Sequence, residues 1–79
     1  MLCMAQKKKT EDLKTQFGRR LQTLRKSAGL TQDELALRTG LTVESISKIE
    51  RGLQGPRFDS LELIADALSL SVVELFSFT

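Results

Sequence analysis

Histidine, tryptophan and tyrosine are absent from this 79-residue sequence, and cysteine and proline occur once each, as Cys3 and Pro56. Without histidine, the usual zinc ligand sets and the Ser-His and Cys-His pairs of nucleophilic enzymes are excluded. No metal, no cofactor, no small-molecule ligand and no enzyme activity are therefore expected. A lone thiol cannot close an internal disulfide, which fits a reducing, cytoplasmic setting. Four phenylalanines are the only aromatic residues, too few for a platform that stacks single-stranded nucleic acid. The apolar runs are far too short to span a bilayer, so no membrane partner is expected. Met1–Met4 precede Lys7, Lys8 and Lys9, the reverse of the charge order in a signal peptide.

What is present is an uneven charge distribution and a strong helical period. Residues 1–29 hold eight lysines and arginines against Glu11 and Asp12, whereas residues 30–79 hold four cations against eight carboxylates. A basic half is the footprint of a polyanion partner, although a solvated helix face with a lysine-rich tail gives the same count. Residues 1–9 show no period and are expected to be a disordered tail, leaving residues 10–79 as one domain. Leu13, Phe17, Leu21, Leu24 and Ala28 recur at helical steps, with Thr10 as the expected N-cap and Gly29 as the stop. Thr31-Gln-Asp-Glu34 is a capping box that opens a second helix, with Leu35 and Ala36 inward and Gly40 at its end. A third helix of about ten residues is expected from Thr42 to Gly52, with Ile46 and Ile49 inward. Residues 53–57 read as a loop. Asp59 or Ser60 caps a fourth helix that buries Leu61, Ile64, Ala65 and Leu68, and Ser71-Val-Val-Glu74 opens a short fifth. The fold class is all-α, a compact five-helix bundle.

The informative stretch is Thr31–Gly52. Two short helices joined at Gly40-Leu41 must cross steeply, which needs a small residue at the contact (Ala36) and a positive φ in the turn (Gly40). The outer face of the third helix, Thr42, Val43, Glu44, Ser45, Ser47, Lys48 and Arg51, has one apolar residue, Val43, and is left for a polar partner.

T-Q-D-E-L-A at 31–36, G-L-T at 40–42, I-S-x-I-E-R-G at 46–52, P-R-F at 56–58 and L-x-L-I-A-D-A-L at 61–68 resemble the phage repressor/Cro-type helix-turn-helix family, with its lambda-repressor-like DNA-binding domain. The resemblance covers about residues 13–76. It implies a third helix in the major groove of double-stranded DNA, with Thr42, Val43, Glu44 and Lys48 at the base-reading positions. Thr42 and Val43 suit a thymine methyl, Glu44 a cytosine amino group and Lys48 a guanine O6 or N7. Gln32 matches the family's phosphate anchor, and Ser45, Ser47, Arg51 and Arg57 are further backbone candidates. Arg25 and Glu50 match a partly buried structural ion pair. The family usually binds palindromes as two-fold dimers. The apolar end of this chain offers Val72, Val73, Phe76 and Phe78 as a homodimer interface. The run F-G-R-R-L-x-x-L-R at 17–25 is similar to restriction-modification controller proteins, while prophage repressors and antitoxins share the rest of the pattern. A transcriptional regulator is the main reading; an adaptor or antitoxin-like protein that uses the same fold for protein contacts is the other. The outward acids Asp33, Glu34 and Glu44 are candidates to touch RNA polymerase.

Overall fold

Residues 12–78 are described by the computed structural model. The expected tail at residues 1–9 and the expected cap Thr10 lie outside them. The described residues form five helices: α1 (Leu13–Ser27), α2 (Gln32–Thr39), α3 (Val43–Glu50), α4 (Phe58–Leu68) and α5 (Val72–Leu75). No strand occurs among them.

Local chemistry sets most of the helix ends. The N-cap of α1 is Asp12 rather than Thr10: its carboxylate accepts from the Thr15 N–H at 3.0 Å. Hydrogen bonds from Thr15 hold the Asp12 carboxyl below its ordinary range. Both expected capping boxes form. Glu34 Oε1 accepts from the Thr31 N–H at 2.8 Å, and Glu74 Oε1 from the Ser71 N–H at 2.9 Å. The first turn of α4 corrects the sequence reading. Its N-cap is Arg57, without a side-chain cap bond, so neither Asp59 nor Ser60 holds that place. Pro56 immediately precedes it, and the chain is already extended at Arg57. The third helix is also shorter than expected, eight residues rather than ten, because Thr42 and Arg51 are its caps.

The core is assembled around α3. α1 packs on α3, α3 on α2, α2 on α4, and α5 on both α4 and α1. Phe17 and Leu21 of α1, Leu35 of α2, Ile46 of α3, Ile64 of α4 and Leu75 of α5 are the large side chains closed from water. The expected α1 stripe is shortened at both ends. Leu13 and Ala28 are exposed, and Leu30, just past the helix, is buried in Ala28's place. The reason is the way α1 ends. Leu30 N–H donates to the Arg25 carbonyl and Gly29 N–H to that of Lys26, the paired bonds that turn a chain back across a helix end. That turn brings Leu30 onto the core.

Gly18 is the residue whose meaning changes most between sequence and structure. Read alone, it is a small helix-propensity penalty. In the fold it is buried where α1 crosses the end of α3. A Cβ there would overlap the Ile49 carbonyl oxygen and come within 2.8 Å of that of Glu50. These are backbone atoms, so relief requires moving one helix. Gly18→Ala is therefore expected to destabilise the domain by about 2–3 kcal/mol, in the range of overpacked cores, despite alanine's better helix propensity. Urea unfolding checks this, and an unchanged or raised midpoint contradicts it.

Candidate nucleic-acid interface

The turn between α2 and α3 is built by two adjacent residues. Gly40 takes φ 79°, and its N–H donates to the Ala36 carbonyl at 2.9 Å. Thr39, which sequence reading passed over, is buried. Its hydroxyl lies 2.9 Å from the Leu35 carbonyl oxygen and accepts from the Leu41 N–H at 3.2 Å. It thereby satisfies groups that the tight turn would otherwise strand. A Thr immediately before the turn glycine is the signal that was available for it.

Beyond the turn, α3 presents its N-terminal end outward. Thr42 is exposed and caps the helix, its hydroxyl oxygen accepting from the Ser45 N–H at 3.0 Å. That oxygen accepts within the helix, while the hydroxyl hydrogen and the methyl group stay available for contact with a partner. Val43 and Glu44 are exposed and Lys48 is half-buried. Lys48 Nζ lies 3.5 Å from Glu44 Oε2, one helical turn away. Residues 43, 44, 47, 48 and 51 share a face by helical spacing, so Ser47 and Arg51 stand beside the four candidate base readers. Ser45 sits on another side. It lines a cleft of about 340 Å³ with Gly55, Pro56 and Arg57, bringing two of the candidate backbone-contacting residues together.

Gln32 and Glu50 are joined, which the sequence did not reveal. Gln32 Nε2 donates to Glu50 Oε1 at 2.9 Å. The other Glu50 oxygen accepts from Arg25 Nε at 2.6 Å, and Arg25 Nη2 adds a bond of 3.1 Å to Oε1. Arg25 Nη1 donates in turn to the Leu30 carbonyl at 2.8 Å. Arg25 and Glu50 are both buried. The hydrogen bond to Glu50 raises the Arg25 guanidinium above its ordinary range, against the desolvation that lowers it. One carboxylate thus clamps α1, the start of α2 and the end of α3.

The four residues expected at a dimer interface fall into two pairs. Val72 and Val73 of α5 point outward, Val73 with 76% exposure. Phe76 and Phe78 turn back on the core instead. Phe76 packs 5.1 Å from Phe17, and Phe78 packs 5.8 Å from Phe76. Phe58 is the residue that sequence reading left out. It is 86% exposed, and it lines one apolar hollow with Leu61, Val72 and Phe76 and another with Leu13, Phe17 and Pro56. In the sequence it figures only as part of the P-R-F motif at 56–58. Arg20 secures this end of the molecule by donating from Nε and Nη2 to the Glu74 carbonyl, at 3.2 and 3.0 Å.

Two short helices crossing over a glycine turn, with the second presenting a polar face, α1 packed on the second and α4 on the first, define a helix-turn-helix domain. The chain belongs to the helix-turn-helix family of transcriptional regulators: the family model matches residues 21–75. It is 38% identical over 64 residues to an uncharacterized HTH-type transcriptional regulator, y4dJ, of Sinorhizobium fredii, covering 81% of this chain and 83% of the relative. Among solved structures it is similar to the restriction-modification controller protein C.AhdI of Aeromonas hydrophila, with a TM-score of 0.78 and 35% identity over 80% of this chain and 96% of that one. It is also similar to SinR, a master regulator for biofilm formation solved in complex with DNA. The TM-score there is 0.72 and the identity 37%, over 75% of this chain and 95% of that one. No helix among the described residues is long and apolar enough to cross a membrane.

The buried clamp gives a direct expectation. Glu50→Ala leaves the Arg25 charge buried without its partner, at a cost of about 3–5 kcal/mol. That is comparable with the whole stability of a domain this small, so the variant is expected to lose cooperative thermal unfolding. A wild-type melting temperature for Glu50→Ala contradicts it.

Proposed function

We propose that this protein is a sequence-specific regulator of transcription that binds double-stranded DNA as a homodimer on a palindromic operator. The observation that carries the proposal is the outer face of α3, where Val43, Glu44, Ser47, Lys48 and Arg51 line up with no other element of the fold covering Val43 and Glu44. With α3 in the major groove, Thr42, Val43, Glu44 and Lys48 meet base edges. Gln32 keeps a second amide hydrogen beyond its bond to Glu50, and it stands at the start of α2, where backbone N–H groups also favour a phosphate. Ser45, Ser47, Arg51 and Arg57 contribute further backbone contacts. Residues 10–79 make up the DNA-binding domain and residues 1–9 a tail. Similarity to a restriction-modification controller supports that role among the regulator types, and the outward acids of α2, Asp33 and Glu34, are open to RNA polymerase.

One recognition helix reads half a site, so a second copy is required for a palindrome, with the two helices roughly 34 Å apart. Val72, Val73 and Phe58 supply an exposed apolar surface on the α4–α5 side. Phe76 lines the hollow beneath it, with Phe78 packed against Phe76.

The salt dependence of duplex binding tests the DNA reading. Affinity for duplex DNA is expected to fall by about 10³-fold or more between 50 and 200 mM salt. Lys48→Ala is expected to change the sequence selected from a random duplex pool. Salt-independent binding, or unaltered selection, counts against it. Val73→Asp tests the dimer. Because Val73 is exposed, the melting temperature of the monomer fold should hold, while sedimentation shifts from dimer to monomer mass and operator affinity drops by about 100-fold or more. A wild-type chain that sediments as a monomer at micromolar concentration rules out the dimer.

A further inference from the structure

Glu44 puts a negative charge on the surface that is offered to a polyanion. The unit Thr31–Gly52 holds four carboxylates and three cations, Arg38, Lys48 and Arg51. Two of the carboxylates are consumed inside the fold: Glu34 accepts from the Thr31 N–H, and Glu50 holds Arg25 and Gln32. Asp33 lies in the first turn of α2, where a carboxylate suits the helix dipole. Glu44 also stands in a first turn, that of α3, but it shares a face with Lys48 and its side chain is 77% exposed. Lys48 Nζ is 3.5 Å away.

We propose, resting on the DNA-binding reading above, that Glu44 and Lys48 form the specificity-determining element of this protein, an ion pair that admits only a groove offering both a base amino group and a guanine acceptor. In water the pair satisfies itself weakly and at little cost. Entering the groove strips water from both charges. A cytosine N4 amino group replaces the lost partner of Glu44, and guanine O6 or N7 that of Lys48. Four residues of helix rise about 6 Å, close to two base-pair steps of 3.4 Å, so the two contacts fall within a span of two steps. A groove with no base amino group at that place leaves the Glu44 carboxylate desolvated between phosphates. The same carboxylate also neutralises Lys48 in the free protein and so removes a cation from non-specific phosphate binding. Specificity is gained by weakening the wrong complex.

Glu44→Gln keeps the shape and removes the charge, and both side chains of the pair lie outside the core, so folding is not at stake; a thermal melt verifies that. The probes are a fixed-sequence duplex without the selected site and a random duplex pool. For Glu44→Gln, affinity for the fixed duplex is expected to rise about tenfold. The logarithmic salt slope should steepen by roughly 1, as Lys48 turns to phosphate. The pool should lose its preference at one cytosine position. The exchanged pair, Glu44→Lys with Lys48→Glu, is expected to restore low affinity for the fixed duplex while selecting a different sequence. If wild type binds and selects DNA but Glu44→Gln leaves both the fixed-duplex affinity and the selected sequence unchanged, the pair is not the specificity element. If wild type binds no duplex at low salt, the DNA-binding reading itself fails.

Discussion

Glu50 accepts three hydrogen bonds, two from Arg25 and one from Gln32, and all three partners of the resulting junction belong to different helices. A carboxylate has about four acceptor positions, so this group is close to saturated. Saturation is what makes its burial tolerable. A desolvated ion pair is stabilising only when its geometry is good and its remaining lone pairs are satisfied. The arrangement depends on close approach, and Gly18 permits it. The α1 backbone passes so near the Ile49 and Glu50 carbonyls that no side chain fits between. Gly18 and the ion pair thus belong to one contact. The missing side chain lets α1 come down on α3, and the approach brings Arg25 within reach of Glu50.

The same contact bears on the surface that would meet DNA. The start of α2, where Gln32 stands, and the end of α3, where Glu50 stands, are tied by one hydrogen bond. The relative placement of the start of α2 and of α3 is thereby set inside the protein, before any partner arrives. Preorganisation of this kind lowers the ordering cost of binding. Thr39 acts in the same sense at the other joint between α2 and α3, where its hydroxyl bridges the last carbonyls of α2 and the Leu41 N–H.

Charge is distributed unevenly along the chain. The basic excess belongs to residues 1–29, while the helix-turn-helix unit carries four carboxylates and three cations, with Glu34 and Glu50 engaged inside the fold. Lys48 is itself paired with Glu44. On the proposed function, the basic excess draws the molecule to any duplex, whereas a nearly balanced face on α3 discriminates among sequences.

Much of the architecture was legible in the linear sequence because helix boundaries are local. Capping boxes at Thr31 and Ser71, the turn at Gly40 and the apolar steps of α2, α3 and α4 need only neighbours within four residues to take effect. The family motifs placed Arg25 and Glu50 as a pair, and the structure joins them in space. Where local signals competed, sequence reading slipped. Thr10 was the expected cap of α1 where Asp12 holds the place, and Asp59 or Ser60 that of α4 where Arg57 stands, its place following from the extended chain after Pro56. What the tertiary structure alone decided concerns residues far apart in the chain. Gly18 against Glu50, Gln32 against Glu50, Arg20 against the Glu74 carbonyl, and Phe76 turned inward while Phe58 stays out are all settled by packing between helices. Helical period determines which face a residue occupies. Only the arrangement of the other helices determines whether that face is covered.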